Sequence, residues 1–174
     1  RFAVKLQPQP KYAFSFAYGR HSQILPFAIS EINLSGQKLD LVKAHHFVLG
    51  ADFFLKNNMH IKLEPYYQMI TNVPVSTDPS SSYWALNQEE ELLPISVMSE
   101  GTGENIGVDL TFEKSFSNHL FFIVSTSVYS STYQTNNGGF TDKFSTKFNG
   151  NYNGSAMIGK EWALERDRAI EFSF

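Results

Sequence analysis

His45 and His46, followed by Asp52, His60 and Glu64, are the residue types that ligate metals, and their crowding into residues 45–64 makes them the first chemistry to weigh. Both histidines fall in an extended, alternating stretch, where neighbouring side chains point to opposite faces, so one ion cannot readily take both. No metal site is expected. Serine, histidine and aspartate are plentiful, yet no nucleophile elbow or diagnostic spacing joins them into a hydrolytic triad. Gly101-Thr102-Gly103 has two glycines of a phosphate loop but lacks the others, the lysine and the following helix, so its expected role is to shape the return from a long loop into a strand. Glu89-Glu90-Glu91 is a calcium lure whose expected state is a solvated loop. Zero cysteine removes disulfides, thiolate ligands and cysteine nucleophiles together. The chain is therefore expected to be no enzyme and to need no cofactor.

The elements that carry these residues are strands. Alternating apolar and polar stretches cover roughly 1–8, 11–20, 44–55, 59–72, 104–116, 119–132, 151–163 and 168–174. Their connections alternate between short (Gln9-Pro10, Lys56-Asn57-Asn58, Ser117-Asn118, Leu164 to Asp167) and long (21–43, 73–103, 133–150). A soluble sandwich has no reason for that asymmetry, whereas an outer-membrane barrel has tight periplasmic turns at one rim and extended extracellular loops at the other. The fifth stretch is the cleanest, with Ile106, Val108, Leu110 and Phe112 opposite Asn105, Gly107, Asp109, Thr111 and Glu113. The polar faces carry Asp52, Lys62, Glu64, Asp109 and Glu113 at mid-strand, where a wide lumen filled with water or protein solvates them. The loop at 76–94 holds Tyr83 and Trp84, the best extracellular ligand-facing candidates, because exposed aromatic rings stack on ligands. The competing expectation is an aromatic tucked against the next loop. Asn136-Asn137-Gly138-Gly139 reads as a flexible tip.

A soluble antiparallel sheet with one wet face produces the same alternation. Three details favour the membrane. Tyr12, Tyr18, Tyr66, Tyr67, Tyr129, Tyr133, Tyr152 and Trp162 sit near strand ends, as aromatic girdles do. The strands match a tilted bilayer span of about 9–11 residues and exceed the soluble norm of about five or six. The short connections have hairpin chemistry. Aromatics make up 15% of the residues, yet no apolar run of about twenty appears, so a helical membrane protein is excluded while a barrel is not. A net charge of -3 gives no electrostatic case for nucleic acid.

Several stretches also carry a resemblance. Tyr18-Gly19-Arg20-His21-Ser22-Gln23, the sequence KAHHFVLGADFFL at 43–55, LEPYYQMITNVPV at 63–75, SEGTGENIGVDLTFEKSFSN at 99–118 and KFNGNYNGSAMIGKEW at 147–162 together resemble the barrel of Bacteroidetes-type TonB-dependent outer-membrane receptors. Members with a carboxypeptidase-regulatory-like domain are the most similar. The resemblance implies an all-β, antiparallel up-and-down transmembrane barrel of about twenty-two strands, of which residues 1–174 supply about eight. It also implies import of a nutrient too large or too scarce for porins, a location in the bacterial outer membrane amid lipid and lipopolysaccharide, and a plug domain inside the lumen. Coupling to the TonB complex would run through parts outside this segment, and a surface lipoprotein often caps such receptors. Arg1 is preceded by neither an initiator methionine nor a signal peptide, as expected of a processed product or an internal segment. The rival expectations are a self-contained eight-stranded outer-membrane barrel, serving as anchor or adhesin, and a soluble lipocalin-like barrel whose apolar face would line the inside.

Overall fold

In the computed structural model the described residues are all but 25–32, 34, 35, 37, 88–94 and 165–167. The strands are β1 (Phe2–Gln9), β2 (Tyr12–Gln23), β3 (Val42–Phe54), β4 (Met59–Ser76), β5 (Val97–Ser117), β6 (Leu120–Gln134), β7 (Phe144–Ser145), β8 (Tyr152–Leu164) and β9 (Arg168–Ser173), with a single 3-10 turn at Ala85–Asn87. Among the described residues they form one antiparallel sheet in the order β1-β2-β3-β4-β5-β6-β8-β9, and β7 pairs with the loop end of β6. Every long strand therefore neighbours the next one in the chain. The expected eight strands are all present, and β7 is an addition inside the expected loop 133–150.

The tight turns follow from asparagine. Asn57 and Asn58 both adopt positive φ (61° and 57°), as do Asn118 and His119 (52° and 60°), the pattern of a two-residue hairpin whose twist matches its strands. Asparagine tolerates the left-handed region better than most residues, which sets the turn at 57–58. The second turn falls on Asn118 and His119, one residue later than Ser117-Asn118. The expected connection Leu164 to Asp167 lies mostly outside the described residues.

Register divides the sheet into two unlike faces. One row runs Leu6, Phe14, Ala51, Leu63, Leu110, Thr126, Gly154 across seven strands. On this face Leu6, Leu49, Ile106 and Val128 are 65%, 56%, 54% and 63% exposed, large apolar side chains that no other part of the described chain covers. Two aromatic rows border it. Tyr18, Phe47 and Tyr67 are register partners near the loop end, with ring centroids 4.9 and 6.5 Å apart, and Tyr12, Phe53 and Phe112 share a row near the turns. The opposite face is polar, and a cleft that spans β3 to β6 marks it as the concave one. A lipocalin-like barrel needs the apolar face inside, and this sheet turns it outward. Nor does the sheet close: among the described residues β1 pairs only with β2 and β9 only with β8, so an eight-stranded closed barrel is not the arrangement of this chain.

The buried apolar core lies at the loop end, where Val42, Val73, Val75, Trp84, Ala85, Val97 and Tyr133 cluster. Here β4 and β5 run well past their expected limits of 72 and 104. Asn72 takes a φ of 61° and the register with β5 shifts between Ile70 and Val73, a bulge that re-aims the chain. Residues 73–76 are then buried on both sides, because the following loop folds back over them.

Candidate functional site

The concave face gathers the charged residues that alternation assigned to it. Pairing places Asp52 opposite Lys62, Glu64 opposite Asp109, and His60 opposite Glu113. Asp52 is 5% exposed, a carboxylate that is tolerable there only because it is paired. Lys5 Nζ lies 3.2 Å from its Oδ2, and His60 Nε2 lies 2.9 Å from its Oδ1. The other ring nitrogen of His60 is 3.1 Å from Glu113 Oε1, so the imidazole spans two carboxylates on two neighbouring strands. Ionised carboxylates only accept, so both contacts are hydrogen bonds when the ring carries two protons. The Phe54 ring stacks on it at 4.8 Å and 7°. Lys62 reaches Glu64 at 2.8 Å, and the Ser127 hydroxyl donates to Asp109 at 2.5 Å.

All five expected residues thus share one face but fall into three groups: Asp52 and Glu113 joined through His60, with Lys5 on Asp52; Lys62 with Glu64; and Asp109 with Ser127. Lys5 was legible from its place beside Ala3 and Gln7 in the first alternating stretch. For His60 the sequence offers only its place among metal-ligating residue types, with no sign of this bridging role. His45 and His46 diverge: His45 meets Tyr18 Oη at 2.8 Å on the apolar face, whereas His46 meets the Tyr66 ring edge-on across 6.1 Å on the concave face. Among the described residues no group of three or more metal-ligating side chains is arranged to hold an ion.

Beside the charges lies a cleft of about 570 Å³. Its floor is a hydrogen-bonded chain across three strands: the Thr146 hydroxyl donates to Ser131 Oγ at 2.7 Å, Ser131 Oγ to Asn105 Oδ1 at 2.5 Å, and Asn105 Nδ2 to Gln68 Oε1 at 2.7 Å. Its sides are Tyr66 and Tyr129. A Cβ on Gly107 would sit 2.6 Å from Tyr66 Oη and 2.8 Å from Tyr129 Cβ, so glycine there gives both tyrosines room to lie across β5. The alternation pattern placed these residues on the right face but carried no sign that they enclose a cleft. That depends on residues 146–148 folding back over β6.

The loop candidates have a different fate from that of exposed ligand contacts. Trp84 is 3% exposed and stacks on Tyr133 at 4.9 Å and 15°. Its ring fills the space above Gly103, where a Cβ would lie 2.9 Å from it. This is the tucked arrangement, and a ring so enclosed has no face left for a ligand. Its indole N–H finds no acceptor among the described residues. Tyr83 is half-buried, and burial pushes its phenol above the ordinary value. Gly101 and Gly103 lie within β5 instead of at its start, and their role is to bed the Trp84 ring. Asp78 accepts from the Ser80 N–H and hydroxyl at 2.9 and 2.8 Å, which holds its carboxyl below the usual range. Residues 136–139 are pinned by side-chain hydrogen bonds and do not form a free tip. Glu89-Glu90-Glu91 lies outside the described residues.

No protein-family model and no curated protein sequence matches the chain. Among solved structures it is similar to the ferric yersiniabactin uptake receptor FyuA from Yersinia pestis, at 12% identity with a TM-score of 0.60. The match covers 97% of this chain and 23% of that receptor, so the chain spans under a quarter of its length. At that identity the likeness is one of fold: an antiparallel up-and-down barrel wall.

Proposed function

We propose that the chain is a stretch of barrel wall from a TonB-dependent transporter of the bacterial outer membrane, of the Bacteroidetes type. The observation that carries this reading is the pairing of an outward apolar face with a concave charged one in a sheet whose two edge strands are open. On β5 the apolar face runs Ile106, Val108, Leu110, Phe112 between Glu104 and Lys114. The ten residue steps from Glu104 to Lys114, at ~3.3 Å each and tilted ~40° as in such barrels, span about 25 Å along the barrel axis, the height of an outer-membrane apolar band. In lipid an unpaired strand edge leaves backbone groups unsatisfied at several kcal/mol each, so β1 and β9 require further strands beside them. A barrel larger than these strands is the arrangement that supplies them. The likeness to an uptake receptor at the level of fold supports the same architecture.

In this reading the concave charges Asp52, Lys62, Glu64, Asp109 and Glu113 face the lumen and hold a plug domain through ion pairs and hydrogen bonds. A nutrient is captured at the extracellular loops, where Tyr83 is the remaining aromatic candidate, and TonB-driven rearrangement of the plug opens the path. Lipid and lipopolysaccharide contact the outward face, and a surface lipoprotein caps the loop end. No residue is assigned a catalytic role. The deciding experiment is the intact mass of the polypeptide extracted in detergent from its native membrane. A mass several times 19.7 kDa in the outer-membrane fraction is expected. Recovery near 19.7 kDa, or without detergent, overturns the reading.

A further inference from the structure

Among the described residues, two segments over the concave face hold one another. Asn137, 7% exposed, directs Nδ2 at three carbonyls of the other segment: Asp78 at 2.8 Å, Ser81 at 3.0 Å and Ser76 at 3.3 Å. Its Oδ1 accepts from the Thr135 hydroxyl at 3.1 Å and the Gly139 N–H at 3.3 Å, so the carboxamide is used at both ends. A Cβ on Gly139 would lie 1.6 Å from the Pro79 carbonyl oxygen, which means the two backbones touch there. Tyr133 Oη donates to Ser82 O at 3.0 Å, and the Lys147 N–H donates to Asn87 Oδ1 at 3.1 Å. The wall grips the same unit through the stacked Trp84 and through Tyr129, whose Oη donates to Phe148 O at 3.3 Å.

This assembly leaves two apolar side chains over the concave face. Leu86 overhangs a cavity of about 420 Å³ lined by His21, Val42, Ala44 and Ile70. Phe148, 55% exposed, stands over the larger cleft between Tyr66 and Tyr129. Segments that act as closing lids are drawn from the low-stability end of a structure, with few buried contacts. Residues 76–87 and 135–149 have the opposite character: a buried carboxamide, backbone contact and an enclosed indole.

We propose that segments 76–87 and 135–149 form one fixed shelf across the mouth of the wall, and that Phe148 is a specificity-determining residue at its inner rim. The shelf selects by fit to a preformed opening: a solute reaching the cleft must pass the Phe148 ring, and one too broad to do so is refused without any loop closing on it. The transporter reading enters only in fixing that solutes arrive from the loop side.

The test uses the full-length protein in intact cells, in a background without other cysteines. Asn105→Cys, on the cleft floor and outside the cavity under Leu86, is labelled by a membrane-impermeant maleimide with Phe148 present and with Phe148→Ala. Asp142→Cys, on an exposed part of the shelf, is labelled in parallel. Amide exchange is then followed in detergent for Asn137→Asp, which keeps the shape and removes the two donor hydrogens. Removing Phe148 is expected to speed labelling at position 105. Asn137→Asp is expected to raise exchange in 76–87 and 135–149 together by at least about fivefold, the factor for the loss of one typical net hydrogen bond. If Asp142→Cys labels while the rate at 105 ignores Phe148, or if exchange rises in 135–149 alone, the shelf is overturned and the transporter reading stands. If Asp142→Cys resists labelling in intact cells, the reading fails and the shelf's role fails with it.

Discussion

Asp52 and His60 provide the sharpest test of whether the concave charges act as a unit. Asp52→Asn keeps the shape of the side chain and removes the charge that faces both Lys5 and His60. Lys5 is 57% exposed, so water reclaims most of what it loses, whereas His60 is 20% exposed and stays wedged beside Glu113. A hydrogen bond to a charged group is worth about 1.5–3 kcal/mol, and breaking a fully buried pair costs about 3–5 kcal/mol. Only the His60 arm counts in full here, which places Asp52→Asn at about 2 kcal/mol. His60→Gln forfeits the same arm and its contact with Glu113, for about the same cost. The two changes remove one shared interaction, so the double variant should cost less than the sum by about 1–2 kcal/mol, the range of coupling between residues in contact. Denaturant unfolding of the whole barrel in detergent at pH 7, read by the mobility difference between folded and unfolded bands, gives all four corners of the cycle. Additivity within about 0.5 kcal/mol would refute the reasoning, since independent sites behave that way.

The two faces should answer differently to the same charge. Leu110→Arg, on the outward apolar face, should destabilise the folded barrel by about 2–4 kcal/mol in lipid, whereas Ser125→Lys, on the concave face near Glu64 and Asp109, should cost little; equal losses in refolding titrations into vesicles would contradict the assignment of faces. Gly139→Ala forces a methyl into the Pro79 carbonyl, an overpacking with a cost of about 1–3 kcal/mol or more, and should appear as protease nicking near both 79 and 139 while the strands remain intact. Asp78 has a folded-state carboxyl pKa below its ordinary 3.8, so its contribution is complete above that value and is lost as pH falls through the lower folded value. Amide exchange at Ser80, corrected for intrinsic pH dependence, should therefore accelerate only below about pH 4; a rise beginning near pH 6 would mean another group controls the turn.

Alternation carried most of the fold because it is a local property: Ile106 to Phe112 reads as a two-faced strand whatever its neighbours are, and register then brings Asp52, Lys62, Glu64, Asp109 and Glu113 onto one surface. The pattern failed where a strand has no wet side. Val73, Pro74, Val75 and Ser76 are all buried, so the sequence shows an apolar run with a proline, and loop is the natural reading. The Asn136 to Gly139 stretch departs from the expected free tip for a related reason. Glycine and asparagine signal backbone freedom, and only the partner loop shows that the freedom serves a close approach at Gly139 and a buried carboxamide at Asn137. Trp84 obeys the same logic, because its partners Gly103 and Tyr133 are distant in sequence and nothing near it announces them.

The order of the sheet, in which each long strand lies beside its successor, also fixes how such a wall can be built. Each pairing across a tight turn closes a loop of only a few residues, a small entropic cost, and only the three long connections demand more. Assembly can therefore advance one hairpin at a time, with no strand waiting for a remote partner. At every stage the growing wall ends in a row of unsatisfied amides and carbonyls. In the proposed barrel, the edge that makes an unfinished sheet intolerable in lipid is also the template that aligns the incoming strand, so incompleteness itself drives the wall toward closure.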